Sequence, residues 1–434
     1  MAAFASDPPP VGPHPLAVQV GYSVANLGKS VVWSSFESIM LYYLVSIAGF
    51  GPLAAGCLLA TALLWDAAFD LVVARWTDRS DVTNRLAQSI VIGAPLCGIG
   101  FWLVFALSDP TAVAAAIIAC RVGYSLCDVG HNTLLIRVAR APGDAARVSG
   151  LRLLFSAAGV ALLALASGPG LRQTASAAQQ SSFAGGAMIG GLLYIATLFA
   201  ALYATRGVSP PPAPGRDAMR RARPMRDYWR DPVFRRLLCV IALQAGLIPL
   251  FQRALPFFGR AVHADAGWAA PALLTLTMAQ SLALPGWMAL ARLYPPRTIA
   301  TLAYALGGVA MTGLTITTAD APGFVLMALH GAALGGMSLA IWALLTDAVQ
   351  RSLAAGGEGE ASAVGLFLAV LKTAAALGNL AFAGIVAAGP VRLATTAVGD
   401  IALLPACATV LPLLGCLAAG GLLWRGGNAA SLSR

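Results

Sequence analysis

The chain has 434 residues, of which 58% are hydrophobic and only 11% are charged, and its mean hydropathy is +0.77. This composition excludes a water-soluble globular protein and predicts a membrane protein that crosses the bilayer many times. The net charge of +10 does not indicate a nucleic acid partner, because the arginines alternate between loops in a pattern that reports membrane orientation.

Twelve apolar segments are each long enough to cross a hydrocarbon core of about 30 Å. Each is predicted to be an α-helix, because helices satisfy their own backbone hydrogen bonds within lipid. Before them, residues 1–17 are rich in proline and lack the pattern of a cleaved signal peptide, so they are predicted to form a disordered cytoplasmic tail. The predicted spans, numbered 1 to 12, lie at residues 18–48, 52–75, 86–107, 111–139, 148–168, 184–204, 235–260, 267–292, 298–317, 321–349, 361–389 and 401–425.

The segment 206–234, between spans 6 and 7, is a basic cytoplasmic linker rich in proline and arginine. It separates an N-terminal bundle of six helices, residues 18–205, from a C-terminal bundle, residues 235–425, which is followed by a short cytoplasmic tail at 426–434. Two six-helix halves joined in this way resemble the arrangement of major facilitator transporters, whose site lies near the middle of the membrane between the halves. The predicted fold class is therefore an all-α membrane protein with twelve transmembrane helices and the major facilitator fold.

The distribution of arginine predicts the orientation of the chain. Most arginines lie in the loops after spans 2, 4, 6, 8 and 10 and in the C-terminal tail, whereas the loops on the other side contain only Arg172, Arg260 and Arg392. Because positively charged loops remain in the cytoplasm, both termini are predicted to be cytoplasmic. Heavy use of alanine and arginine is typical of GC-rich bacteria. We therefore expect a multi-pass protein of the bacterial inner membrane that contacts the lipid bilayer as a functional monomer.

Polar side chains recur at helical spacing along several spans, which a purely structural membrane helix does not require. In span 1, a single face carries Tyr22, Asn26, Lys29, Trp33 and Glu37. Together the polar faces are predicted to line one aqueous cavity, although hydrogen bonds between helices also explain single Ser, Thr or Asn residues. The other faces carry Arg121, Ser125, Asp128 and Asn132 in span 4, Arg152 and Ser156 in span 5, Ser338, Trp342 and Thr346 in span 10, and Lys372 and Asn379 in span 11.

The two lysines of the chain, Lys29 and Lys372, both lie inside apolar spans. An ammonium group in the middle of a bilayer costs about 3 kcal/mol or more, so such groups face a wet cavity or a carboxylate and mark a transport pathway. Carboxylates at a similar depth are the expected partners of both lysines. These carboxylates are Glu37, Asp66, Asp70 and Asp128.

Asp66 and Asp70 are four residues apart in span 2, so their carboxylates share one face of the helix. In a low-dielectric site they repel each other unless a cation or a proton lies between them. Either the pair binds a monovalent ion together with oxygens of Ser125 and Asp128, or one carboxyl group stays protonated and releases its proton when the cavity opens. A purely structural pairing of the two acids with a buried basic side chain is the alternative.

Four separated motifs point to one transporter family. They are Gly28-Lys29 in a span that ends Leu-Tyr-Tyr at Tyr43, Leu64-Trp-Asp-Ala-Ala-Phe-Asp70 in span 2, Tyr124-Ser-Leu-Cys-Asp128 with Gly150-Leu-Arg152 in spans 4 and 5, and Trp342-Ala-Leu-Leu-Thr-Asp347 followed by Gly365 and Lys372 in spans 10 and 11. With these motifs the sequence resembles the glycoside-pentoside-hexuronide:cation symporters, the melibiose-carrier-like branch of the major facilitator superfamily, over most of its length.

This resemblance implies sugar uptake driven by Na+, Li+ or H+, with no cofactor and no catalytic residue. It implies that the acids of spans 2 and 4 handle the cation, with Na+ at Asp66 and Asp70 as the one metal ion to consider. It also implies that Asp128, Arg152 and span 1 meet the substrate. The predicted cation-binding residues are Asp66, Asp70, Ser125 and Asp128. Adding the polar faces gives the predicted substrate-binding residues Lys29, Trp33, Glu37, Arg121, Asp128, Asn132, Arg152, Trp342 and Lys372.

Three positions depart from the family pattern. Ser30 replaces the acid that follows Gly-Lys, and Asn132 replaces a tryptophan four residues after the acid of span 4, so two groups that hold a sugar ring are lost. Phe69 replaces the asparagine before the second acid of span 2, which removes an oxygen that Na+ needs more than a proton does. We therefore favour H+ over Na+ as the coupling ion. The resemblance implies that the solute is a small polar compound, a sugar. Because basic groups outnumber acids within the spans, a solute with an acidic group, such as a sugar acid, is also expected.

Other functions remain open from the sequence. A proton-coupled exporter of a specialised metabolite, or a symporter of lysolipid-type cargo, would use the same acids in the same fold. An intramembrane prenyltransferase also places Asp-x-x-x-Asp on a membrane helix, but that chemistry needs a second acidic cluster, and the later spans offer only Asp347. In the loop after span 10, Glu358 and Glu360 are expected to be solvated, with a gating salt bridge to a cytoplasmic arginine as the alternative.

Overall fold

The computed structural model describes residues 14–40, 43–44, 47–78, 85–139, 144–172, 176–208, 225–262, 268–317, 320–354, 360–387, 392–396 and 399–431. The helices of the N-terminal half are α1 (Leu16–Ser23), α2 (Ala25–Ser38), α3 (Pro52–Asp78), α4 (Arg85–Ala106), α5 (Pro110–Val138), α6 (Asp144–Arg172) and α7 (Ser176–Ala204). The short helix α8 (Met225–Arg230) leads into the C-terminal half, which contains α9 (Pro232–Leu247), α10 (Leu250–Val262), α11 (Ala269–Leu290), α12 (Pro296–Ile316), α13 (Asp320–Ala354), α14 (Glu360–Ala387) and α15 (Leu403–Ser431). An antiparallel hairpin of β1 (Arg392–Thr396) and β2 (Gly399–Ala402) lies between α14 and α15.

Within these ranges, 11 helical segments are long and apolar enough to cross a membrane. They correspond to predicted spans 2 to 12. Predicted span 1 is divided between α1 and α2, which meet at Val24, so neither piece is long enough to cross alone. The predicted all-α fold class is therefore confirmed, and eleven of the twelve predicted spans are helical segments long enough to cross a membrane. The hairpin is an element that the sequence did not predict.

Several helices extend beyond the predicted spans. The helix of span 6 begins at Ser176, the helix of span 10 continues to Ala354, and the last helix continues to Ser431, within the segment predicted to be a tail. Hydropathy locates only the part of a helix that lies in hydrocarbon, whereas the polar ends continue into the interface. Much of the predicted N-terminal tail (1–13) and of the predicted linker (209–224) lies outside the described residues.

Two helices begin at an Asp-Pro pair, and the pair explains why they begin there. Asp109 accepts a hydrogen bond from the backbone N–H of Ala112 (2.8 Å) at the start of α5, and Asp231 accepts one from Val233 (2.9 Å) at the start of α9. The proline after each aspartate lacks an N–H that the first turn would leave unpaired. Proline also separates α9 from α10, because Pro249 has no N–H with which to continue the helical pattern.

The two halves share an apolar core at the end of the bundle where the linker lies. There, Val73, Ala74 and Ile136 of the N-terminal half pack in one cluster with Leu345 and Phe367 of the C-terminal half. The other two clusters of buried apolar residues each belong to one half, among the residues that the structure describes. The halves are therefore closed against each other by apolar contacts on the linker side.

Gly365 of α14 packs directly against α3 of the other half. A Cβ atom at this position would overlap the Cβ of Ala74 and lie 3.2 Å from the carbonyl oxygen of Asp70. The missing side chain therefore lets the two helices approach closely, within two helical turns of the buried Lys372.

We predict that Gly365→Val destabilises the protein by about 1–3 kcal/mol, the usual cost of overpacking a tight contact. The measurement is the midpoint of thermal unfolding of the purified protein in detergent. Gly384→Val in the same helix is the matched control, because a Cβ atom there meets no other atom within 4 Å. An equal loss of stability in both variants would contradict the close contact of α3 with α14.

Candidate substrate and cation site

Lys372 lies at the centre of a buried cluster of charges between the halves. Its Nζ atom, carried by α14, lies 2.7 Å from Asp70 Oδ2 and 3.6 Å from Asp66 Oδ2 of α3. The same atom lies 3.4 Å from Asp128 Oδ2 and 3.5 Å from Ser125 Oγ, both in α5. The four side chains predicted to bind a cation therefore surround one ammonium group that the other half contributes.

Arg121 forms a second buried ion pair, with Asp66. The guanidinium Cζ lies 5.4 Å from the ring centre of Trp33, 5.0 Å from that of Phe36 and 5.3 Å from that of Tyr124. The electron-rich faces of these rings favour a cation, especially where water is excluded. Trp33, the tryptophan of the predicted polar face of span 1, therefore stabilises the charge of Arg121 in this structure.

A chain of polar contacts extends from Lys372 along α5 to Arg152 of α6. Lys29 lies 2.6 Å from Asp128 Oδ1, and Asn132 donates to the same oxygen through Nδ2 (2.7 Å). Asn132 Oδ1 in turn accepts a hydrogen bond from Arg152 Nη2 (2.5 Å). Because Asp128 and Asn132 are four residues apart, they share one face of α5 and connect the two ends of the chain.

Arg152 lies at the boundary between the halves. Its Cζ atom lies 4.4 Å from the ring centre of Trp342 in α13 and 6.0 Å from that of Tyr22 in α1. Its Nε donates to Asn26 Oδ1 at 3.3 Å, whereas its buried Nη1 has no hydrogen-bond partner among the described residues. An aromatic ring of the C-terminal half therefore covers a cation of the N-terminal half that retains unused donors.

Glu37 contacts a different partner. Its Oε2 lies 2.5 Å from Arg253 Nη2 and 3.2 Å from Arg253 Nε in α10, which places this ion pair between the halves on the side opposite the linker. The sequence predicts Glu37 as a substrate-binding residue but does not indicate this pairing, because the two residues are 216 positions apart.

On the linker side, polar contacts join the ends of α5, α13 and α14. Arg137 Nη2 lies 2.8 Å from Glu360 Oε1, and Gln350 Nε2 donates to the backbone oxygen of Ala139 at 2.5 Å. Glu360 is buried in this salt bridge, so it is not the solvated side chain that we expected. The salt bridge to an arginine, which was the alternative, is present, and its role in gating stays a prediction. Glu358 lies outside the described residues.

One supporting contact has no clear signal in the sequence. The hydroxyl group of Tyr22 donates to the backbone oxygen of His131 (3.0 Å), and His131 Nε2 lies 2.9 Å from the backbone oxygen of Tyr22. The two rings stack at 4.3 Å, and both side chains are completely buried. This pair holds α1 against α5 behind the charged residues.

All the predicted site residues except Glu37 therefore form one connected group, whereas Glu37 forms an ion pair with Arg253 on the side away from the linker. Their individual roles remain predictions. The residues linked by the contacts above are Lys29, Trp33, Asp66, Asp70, Arg121, Ser125, Asp128, Asn132, Arg152, Trp342 and Lys372.

Comparison with known families decides what class of protein contains this group. A family profile described as MFS/sugar transport protein matches residues 21–426, nearly the whole chain. The chain belongs to this family. The predicted membership of a glycoside-pentoside-hexuronide-like branch of the major facilitator superfamily is thereby confirmed. This member of the MFS/sugar transport family is a multi-pass secondary transporter of a small molecule and not an enzyme, so the prenyltransferase alternative is excluded.

Solved structures show the same fold at low sequence identity. The major facilitator transporter FucP in the outward conformation is 14% identical with a TM-score of 0.63, over 93% of this chain and 97% of that chain. A bacterial homologue of the iron transporter ferroportin in an outward-facing state is 12% identical with a TM-score of 0.68, over 95% and 99%. The proton:xylose symporter XylE bound to 6-bromo-6-deoxy-D-glucose is 12% identical with a TM-score of 0.62, over 94% of each chain. A sequence comparison with curated proteins gives no significant match.

We predict that Asp66→Asn and Arg121→Gln each destabilise the protein by about 3–5 kcal/mol, because each leaves one buried charge without its partner. The double variant lacks both charges, so its loss of stability should fall short of the sum of the single losses by at least about 1 kcal/mol. The measurement is thermal unfolding of the four proteins in one detergent.

The control cycle uses Asp347→Asn and Arg351→Gln, an exposed pair whose charges water already screens. Each of these substitutions should cost under about 1 kcal/mol. Strictly additive losses in the Asp66 and Arg121 cycle would contradict a direct ion pair.

Proposed function

We propose that the protein takes up a small polar solute, a sugar or a sugar-acid-like compound, together with a proton. The observation that carries this proposal is the position of Lys372, whose ammonium group lies 2.7–3.6 Å from three carboxylates of the opposite half. These acids are already occupied by a side-chain cation. A coupling ion must therefore change the pairing of Lys372, and that pairing is also a bond between the two halves.

A proton fits this arrangement better than Na+. A proton that adds to an Asp70 oxygen forms an O–H bond and removes the negative charge nearest to Lys372, without the need for further ligands. Na+ needs several oxygens around one point. The position next to Asp70 is Phe69, whose ring stacks on that of Trp65 with centroids 6.4 Å apart and supplies no oxygen.

The contacts along α5 supply a route for coupling. Asp128 contacts Lys372 at one end and, through Asn132, Arg152 at the other. A solute that bonds to Arg152 or Asn132 changes the contacts of Asp128, and a proton on the acids changes them from the opposite end. If both ligands favour the same arrangement of the halves, each raises the affinity for the other by the same factor.

In alternating access, the contacts between the halves on one side of this cluster then break while the contacts on the other side form. We place the arginine-rich loops, the linker and both termini in the cytoplasm, in the inner membrane of a bacterium, with the monomer as the transporting unit. The arrangement described above is then closed to the cytoplasm by Arg137 and Glu360 and by the shared apolar core.

One proton that moves through about 100 mV supplies about 2.3 kcal/mol, enough for roughly 40-fold accumulation of a neutral solute.

Asp70→Asn is expected to abolish accumulation driven by a pH gradient, because an amide cannot take up and release the proton. Exchange of labelled for unlabelled solute, which needs no net proton movement, should continue. The measurement is uptake from a panel of sugars and sugar acids into liposomes that contain the purified protein, with pH and Na+ gradients imposed separately.

Asp109→Asn is the matched control for this experiment, because Asp109 caps the N-terminus of α5 and asparagine is an equally good N-cap. This variant should accumulate solute as the wild-type protein does. Proton-driven accumulation that survives in Asp70→Asn, or wild-type accumulation that needs only a Na+ gradient, would refute proton coupling at this site.

The salt bridge on the linker side generates a separate prediction. Cysteines at positions 139 and 350 replace two residues in contact, so a short bis-maleimide should link them when the cytoplasmic side is closed. Glu360→Arg should reduce the linked fraction severalfold, because it faces Arg137 with a like charge. Adding Arg137→Glu should restore linking. If the linked fraction is the same in Glu360→Arg and in the double variant as in the wild-type pair, the salt bridge does not hold the cytoplasmic side closed.

A further inference from the structure

The buried basic side chains of the spans are not equally matched with acids. Arg152 is only 4% exposed, yet among the residues that the structure describes no carboxylate oxygen lies within 4.0 Å of its nitrogens. The cations that do have such a partner are Lys29 with Asp128, Arg121 with Asp66, Arg253 with Glu37, Lys372 with Asp66, Asp70 and Asp128, and, at the linker-side end of span 4, Arg137 with Glu360. The cluster therefore contains one more positive charge than negative charges. The unbalanced charge is that of Arg152, because the other cations each contact a carboxylate.

The described hydrogen-bond partners of Arg152 are neutral. Nε donates to Asn26 Oδ1 at 3.3 Å, and Nη2 donates to Asn132 Oδ1 at 2.5 Å. Nη1 is buried and makes no hydrogen bond to a described residue. A guanidinium group does not lose its proton in proteins, so the charge persists, and a buried charge without a counter-ion is strongly unfavourable.

We propose that Arg152 Nη1 is the subsite for an anionic group of the transported solute, a carboxylate or a phosphate. This inference rests on the proposed function, since it names the chemical class of the solute for that same site. The planar guanidinium presents adjacent N–H groups on Nη1 and Nη2, a geometry that matches the two oxygens of such an anion. The anion supplies a negative charge that no described carboxylate provides within 4.0 Å of the Arg152 nitrogens.

The neighbouring groups also favour an anion over a sugar hydroxyl. A hydroxyl group both donates and accepts, so a site built for it offers a free acceptor next to a donor. The acid closest to Arg152 along the chain of contacts is Asp128, and its oxygens already contact Lys29, Lys372 and Asn132. The unused group of Arg152 itself, Nη1, is a donor, and an acceptor-only ligand group is its complement.

The same position connects ligand binding to both halves. Arg152 belongs to α6, and the ring of Trp342 in α13 lies 4.4 Å from its Cζ atom, so an anion at Nη1 is held beside both halves at once. A monovalent anion that moves with one proton carries no net charge. Its accumulation should therefore follow the pH gradient and ignore the membrane potential, whereas a neutral solute that moves with a proton responds to both.

The test is ligand binding to the purified protein in detergent, measured by titration calorimetry without any ion gradient. The probes are matched acid and neutral pairs: D-glucuronate with D-glucose, D-galacturonate with D-galactose, and glycerol 3-phosphate with glycerol. At least one acid should bind at least tenfold more tightly than its neutral counterpart. Lysophosphatidylglycerol is added as a separate arm, and binding in that arm without binding of glycerol 3-phosphate assigns the anion to a lipid headgroup rather than a free solute.

Arg152→Gln should reduce the acid-to-neutral ratio to about one, and Arg152→Lys, which keeps the charge but not the planar geometry, should retain part of it. Arg351→Gln replaces an exposed arginine and should leave the ratio unchanged. Gel filtration checks the folding of each variant, and if Arg152→Gln does not fold, the ratio in Arg152→Lys decides.

The inference is overturned if no acid binds more tightly than its neutral counterpart, or if the ratio is unchanged in both Arg152 variants. These outcomes are distinguishable from a failure of the proposed function. If anions bind in a way that depends on Arg152 but no proton-driven uptake occurs, the proposed proton coupling is refuted and the anionic subsite stands. Proton-driven uptake of neutral sugars without any preference for acids would end only the anionic subsite.

Discussion

The lysine ammonium of one half, held among three carboxylates of the other, is the interaction on which the rest of this structure depends. Charges this deeply buried are tolerated only when opposite charges and hydrogen bonds replace the water that they lose. That requirement explains why Arg121 lies against Asp66 and why Lys29 lies against Asp128. It also explains the glycine at position 365, whose missing side chain lets α14 reach α3 closely enough for Lys372 to contact the acids.

A cluster of this kind is a weak source of stability, and we propose that it acts as a switch. Replacing buried ion pairs with apolar residues is often neutral or stabilising, so stability alone does not account for seven charged residues between the halves. In the proposed mechanism, their value lies in what a single proton changes. When one carboxylate is neutralised, its partner must find another acid or leave, and the partner that bridges the halves is Lys372. If a solute anion binds Arg152 as we propose, it changes the contacts of the cluster in the same way, because Asn132 connects the two positions.

The contacts on the two sides of this cluster differ in kind. The linker side combines the Arg137 to Glu360 salt bridge with a shared apolar core, whereas the opposite side is joined by Glu37 and Arg253. Apolar contacts are separated only when water enters the interface, which is costly, while an ion pair exchanges readily for contacts with water or with a charged ligand.

Much of this protein follows from its sequence alone. The spans, their helical state and the faces that carry Lys29, Asp66 and Asp70 depend on apolar length and on a period of 3.6 residues, which are local properties. The sequence also identified the residue types of the site, because charged side chains are rare inside a bilayer and each one requires a reason. The pairings were decided only by the tertiary structure, because several acids were equally available to each base. Glu37 pairs with Arg253 from 216 positions away, whereas Arg152 pairs with no carboxylate in the described part of the chain. Ion pairing depends on distances of a few ångströms, and those distances are set by how the helices of the two halves pack, which no local pattern contains.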